Sequence, residues 1–293
     1  MCIIVGDIES VTGTNIAVVV KPDNRQLVVY SNRVILSADR DWDDSAAEQA
    51  AAAKHVAMIL PFPNWSGRDV QVVPTVPADC GVFDMLDRAC SPLPESAMDM
   101  LASNGGGDSD DDESVLEVRR SGSYRYSIAA TPADLRRADP TVFAGHLPAD
   151  LSLLIEQYAA SQFGFIVCII DASAAYSPFA YLCDRLPGGD SGAVFVPTKH
   201  YHTHSGAAAA TADWDHNVYV LGVRPLACAS IGRMGKGARC GVDCLPRGPL
   251  MASALAKEMG KCDANLIACF RLNSRAGRAL GIVPNMDMVM QVQ

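Results

Sequence analysis

The chain has 293 residues, 49% of them apolar, and a formal net charge of −9. That apolar content supports a sizeable core and suits one large domain, while the acidic balance excludes a protein that grips nucleic-acid phosphates through a broad basic face. The first residues lack a basic region followed by a long apolar one, and no run reaches the roughly eighteen apolar residues of a membrane span, so an intracellular, cytoplasmic protein with no membrane contact is expected.

In chain order, residues 1–5, 15–20 and 26–36 read as strands of a β-meander, punctuated by Thr12-Gly13-Thr14 and Lys21-Pro22-Asp23-Asn24. Residues 39–54, rich in alanine and glutamate after an acidic start, read as a short helix or an exposed insert. Residues 55–60 form a buried strand stopped by Pro61-Phe62-Pro63, with residues 69–73 expected to pair beside it. A helical turn is expected at 84–88. Residues 103–113 are Gly-rich and acidic, the composition of a disordered insert within one domain spanning 1–293. Strands resume at 114–119 and 124–129. Thr131-Pro132-Ala133-Asp134 has the cap and early proline of a helix start, and Leu151, Leu154, Ile155 and Tyr158 have helical spacing, predicting a sheet-covering helix over 147–161.

The run Phe163-Gly164-Phe165-Ile166-Val167-Cys168-Ile169-Ile170 has no polar alternation, the pattern of a strand buried on both faces. Residues 178–185 and 193–204 read as a hairpin around the turn residues Leu186 to Gly192, with His200, His202 and His204 continuing one apolar stripe. Residues 213–221 alternate again and suggest a third antiparallel strand. Beyond them, the glycines and basic residues of 231–237 lack phosphate-loop spacing and read as a solvated loop. A helix over 249–259 and strands at 265–272 and 286–292 complete the chain. The expected fold class is α+β, with mainly antiparallel sheets, two of them stacked in one variant, and helices packed on their faces.

Three sets of residues could carry chemistry. The ten cysteines are irregularly spaced and suit reduced, buried thiols better than disulfides; Cys228, Cys240, Cys244 and Cys262 lack the spacing of a zinc knuckle. His200, His202 and His204, with His216 from the following strand, are the residue types and spacing by which β-sheets present imidazoles to a divalent transition metal; the alternative is histidines that bond backbone at a core rim. Gly189-Asp190-Ser191-Gly192 resembles the nucleophile loop of trypsin-like serine proteases, but Ala193-Val194 follows where that family has Gly-Pro, and a turn explains the same residues.

Met1-Cys2-Ile3-Ile4 opening a β-meander, with Tyr30-Ser31-Asn32-Arg33 closing a later strand, resembles the N-terminal-nucleophile cysteine hydrolases of the choloylglycine hydrolase and NRDE type. Val34 and Ile35 stand where the latter motif has aspartate and glutamate. The resemblance implies hydrolysis of a carbon-nitrogen amide bond, with Cys2 as nucleophile and base after loss of Met1, Asn32 as an oxyanion or orienting group, Arg33 as a charge partner, and no cofactor. Residues 195–219 resemble instead an uncharacterised family of large DNA viruses and bacteria. That resemblance implies no activity, only a non-catalytic structural or assembly protein, a homo-oligomer or virion component among the forms it would take.

Overall fold

The computed structural model describes residues 2–5, 8–21, 23–36, 55–73, 82–84, 86, 116–122, 124–138, 152, 155–156, 158, 162–171, 178–187, 193–198, 200–202, 215–222, 265–273 and 288–291. Fourteen strands carry the described chain: β1 (Cys2–Val5), β2 (Ile8–Val20), β3 (Arg25–Leu36), β4 (His55–Pro63), β5 (Gln71–Val72), β6 (Arg119–Ser121), β7 (Tyr124–Ala129), β8 (Phe163–Asp171), β9 (Phe179–Asp184), β10 (Ala193–Val196), β11 (His200–His202), β12 (Asp215–Gly222), β13 (Asn265–Asn273) and β14 (Met288–Gln291). They form two six-stranded sheets, β11-β1-β4-β8-β7-β6 and β13-β12-β2-β3-β9-β5, and a ribbon of β10 with β14. Most pairings are antiparallel; β1 with β11 and β2 with β12 are parallel.

The sheets share one apolar core. Ile4, Met58, Leu60, Ile166 and Cys168 of the first sheet are buried with Ile16, Val18, Val28, Tyr30, Tyr181, Val218 and Val220 of the second. Side chains alternate across a strand, so the neighbouring residues form two further buried layers. Ile3, Ile59, Phe165, Val167 and Ile169 pack under Leu135, Ile155, Tyr158 and Phe195, while Ala17, Val19, Leu27, Val29 and Tyr219 pack with Val82 and Leu86. Coverage on both faces is why β4 and β8 read as continuous apolar runs.

These layers correct the α+β expectation. The described chain is mainly β, and no described helix reaches seven residues. The cap at Thr131 is present, its hydroxyl accepting from the Asp134 amide at 3.4 Å, but it starts only a 3-10 turn, Pro132–Arg137. In the span expected as helix 147–161, Ser152, Ile155, Glu156 and Tyr158 are helical, with Ile155 and Tyr158 buried. The insert at 103–113 and the helix expected at 249–259 lie outside the described residues.

The pairings also differ from local expectation. β2 and β3 form a hairpin, but β1 joins the other sheet between β4 and β11, so the first three strands are not one meander. β5 pairs with β9, not β4. The anticipated hairpin of 178–185 with 193–204 reduces to a bridge between Leu186 and Ala193. Thereafter β10 takes β14 as partner, the chain turns at Pro197, and β11 lies beside β1. β12 pairs with β13 and β2, so it is no third strand of that hairpin.

Candidate functional site

The proposed hydrolase residues fall on two sheets and on two faces of one strand. Cys2 lies in β1, in register with His200 of β11. Asn32 of β3 is 3% exposed within the apolar interior, where its Nδ2 points at Met58 Sδ, 3.9 Å away. Met58 is in register with Ile4, two residues from Cys2, so the Asn32 amide reaches toward β1 from the opposite sheet. Arg33 is exposed, and alternation along β3 sends it to the face opposite Asn32. Alternation along β3 therefore separates the two residues that the amidohydrolase resemblance pairs.

The histidines are likewise divided. His200 and His202 belong to β11 of the first sheet and His216 to β12 of the second, where it is 1% exposed; His204 lies outside the described residues. Among the described residues, no group of three histidine, cysteine, aspartate or glutamate side chains could hold a metal ion. Cys168 and Cys183 are free and buried. Burial pushes both thiols up, with Asp184 adding to the effect at Cys183, so neither is poised as a thiolate nucleophile. No described helix is long and apolar enough to cross a membrane.

Two concentrations of charge were missed from sequence because each needs tertiary pairing to become visible. The first is on the outer strands of the first sheet. Arg120 of β6 sits directly opposite Arg125 of β7, a cross-strand pair of like charges. Arg119 is held by Glu117 and Arg137 by Asp134, at 3.3 Å for the latter, whereas no carboxylate within ion-pair distance is recorded for Arg120, Arg125 or Arg136 among the described residues. Glu117 is held below its ordinary value by its bond to Arg119.

The second is where β9 ends against the turns at 23–25 and 64–68. The Asp184 carboxylate accepts from Ser66 Oγ and lies 3.6 Å from Arg68 Nε. Arg25 donates to Leu182 O at 3.3 Å and to Gln71 Oε1 at 3.5 Å. The Arg185 backbone is fixed from both sides, its N–H donating to Asn24 O at 3.1 Å and its carbonyl accepting from Trp65 Nε1 at 2.6 Å.

No family model matches the chain, and no curated protein does. Among solved structures, that of baculovirus P35 aligns over 97% of this chain and 96% of its own, at 12% identity and a TM-score of 0.40. A mutated baculovirus P35 after caspase cleavage aligns over 96% and 100%, at 11% identity and a TM-score of 0.38. The caspase-8/P35 complex matches over 96% of both chains, at 12% identity and a TM-score of 0.35. Likeness at this level, though it runs nearly end to end, establishes neither a common fold nor a common activity.

Proposed function

We propose that this chain works by binding, engaging an acidic segment of another protein along the β6–β7 edge of its first sheet. The observation that carries the reading is the Arg120–Arg125 pair. Like charges directly opposite on a ladder repel, and a chain with net charge −9 has carboxylates to spare for neutralising them, yet among the described residues neither arginine has one. Acidic side chains supplied by a partner would relieve that repulsion. β6 is also the terminal strand of its sheet, three residues long and guarded by arginine, an edge that excludes indiscriminate strand addition while admitting a partner of opposite charge.

The test separates binding from folding. Arg120→Glu converts the like-charge pair to an opposite-charge pair, so the isolated protein should melt at the same temperature or on the order of 1–2 °C higher. Binding to a fluorescent acidic peptide should meanwhile fall at least tenfold and should weaken with salt in wild type. Unchanged peptide affinity in Arg120→Glu refutes the proposal. Caspase-8 is a second probe in the same assay; its complex is a property of the P35 chain, and only a measured interaction would bring it to this one.

A second reading, amide hydrolysis at Cys2, is favoured by one contact: the Asn32 amide at Met58, across from Ile4. It requires turnover of a carbon-nitrogen substrate that Cys2→Ala abolishes while the melting temperature holds. Turnover retained in Cys2→Ala eliminates it.

A further inference from the structure

We propose that the corner formed by the end of β9 with the turns at 23–25 and 64–68 is a binding site for a small oxyanion, a carboxylate or a phosphate, anchored by the Arg185 guanidinium. Arg185 is 6% exposed, and its Nε is sealed with no hydrogen-bond partner among the described residues. A buried guanidinium normally meets a carboxylate, because an unpaired charge taken out of water carries a large penalty. Its nearest carboxylate in sequence, Asp184, is already held by Ser66 and Arg68. Asp23 favours the charged form of Arg185 without forming an ion pair to it, and burial pulls the guanidinium below its ordinary value despite that help.

The surroundings are built rather than incidental. The Trp65 indole and the Asn24 carbonyl clamp the Arg185 backbone, and Asn24 itself holds a left-handed conformation at φ 63 to close the turn. Arginine so fixed loses little freedom on accepting a planar or tetrahedral oxyanion, and its fork suits two oxygens at once. The two ligand sources share this chemistry, and the arms of one experiment distinguish them.

The full-length protein is melted in sodium chloride, acetate, N-acetyl-aspartate and phosphate at matched ionic strength, alongside Arg185→Met and Arg120→Glu. Wild type should rise by about 3 °C at a ligand concentration roughly tenfold above Kd, in phosphate if the site takes phosphate and in the carboxylates if it takes those. Arg185→Met, which removes an unpaired buried charge while keeping its volume, should be at least as stable as wild type in chloride and should lose the response. Arg120→Glu should keep it, so this site and the β6–β7 edge fail or stand separately. An equal rise in all four salts, or a full response retained in Arg185→Met, overturns the proposal; so does a marked loss of stability of Arg185→Met in chloride, which would show the charge to be paired internally.

Discussion

Gln26 ties the β10–β14 ribbon to the second sheet, and its removal has a calculable cost. The side chain is 0% exposed; Nε2 donates to Phe195 O at 2.7 Å and Oε1 accepts from Phe195 N at 3.0 Å, so one amide satisfies both backbone groups of a residue 169 positions away. Gln26→Leu keeps the approximate size and removes both bonds. Leaving a buried donor and a buried acceptor unsatisfied costs about 1–3 kcal/mol each, and burying leucine returns about 1.5–3 kcal/mol, so the midpoints of these ranges leave a net loss of about 2 kcal/mol. Gln26→Ala adds a cavity and should lose more. Urea unfolding measures the loss as a lower midpoint with an unchanged slope, and hydrogen exchange should show the Phe195 amide losing protection ahead of the amides of β3. A leucine variant within about 0.5 kcal/mol of wild type, with the Phe195 amide still protected, would refute the assignment of Gln26 as the clamp.

Gly164 lies in register with Phe62, and an added Cβ would meet the Phe62 ring at 2.4 and 2.8 Å and Ala129 O at 3.0 Å. Gly164→Ala should therefore cost about 1–3 kcal/mol in thermal or urea melts, partly recovered in the double variant with Phe62→Leu. Cys168 and Cys183 should resist a chromogenic disulfide reagent in the native protein and react at once in urea. Their raised native pKa values also set a sign: above about pH 8.5 the unfolded thiols release protons that the native ones retain, so stability falls as pH rises from there, and Cys168→Ala should flatten the slope of the urea midpoint between pH 8 and 10. A slope unaffected by that variant would mean that the thiol does not carry the effect.

The strands were legible wherever burial imposed a local pattern. Phe163 to Ile170 announced a strand covered on both faces, and it is. His216, Val218 and Val220 share a face as alternation requires, all three fully or nearly fully buried. Pairing was not legible, because register is set by partners distant in sequence. Residues 193–204 kept one alternating parity through Pro197, but the chain turns there, Thr198 N bonding Val196 O at 2.8 Å, and β11, with His200 and His202, belongs to another sheet. The helix overestimate has a similar cause. Thr131 and Asp134 specify a helix start, and nothing in a start signal fixes how far the turn propagates.

The candidate sites were obscured for a different reason. Sequence draws attention to residues with intrinsic reactivity, such as Cys2 and the histidines, whereas a tense charge arises only from what surrounds it. Asp184 and Arg185 are adjacent and look like a self-satisfied pair. In an extended chain adjacent side chains point to opposite faces, so proximity in sequence works against that pairing. Asp184 accepts from Ser66 and lies 3.6 Å from Arg68 while its Oδ1 keeps no hydrogen-bond partner among the described residues, and the Arg185 backbone is clamped by Asn24 and Trp65. Arg120 and Arg125 show the complementary case: five positions apart, they become direct neighbours only because the chain reverses at Gly122, whose φ of 58 allows the tight return from β6 to β7. Both arrangements leave positive charge without a counter-ion among the described residues, in a chain that is otherwise acidic. A single substitution removes either one, so Arg185→Met and Arg120→Glu test directly whether a ligand supplies the missing negative charge.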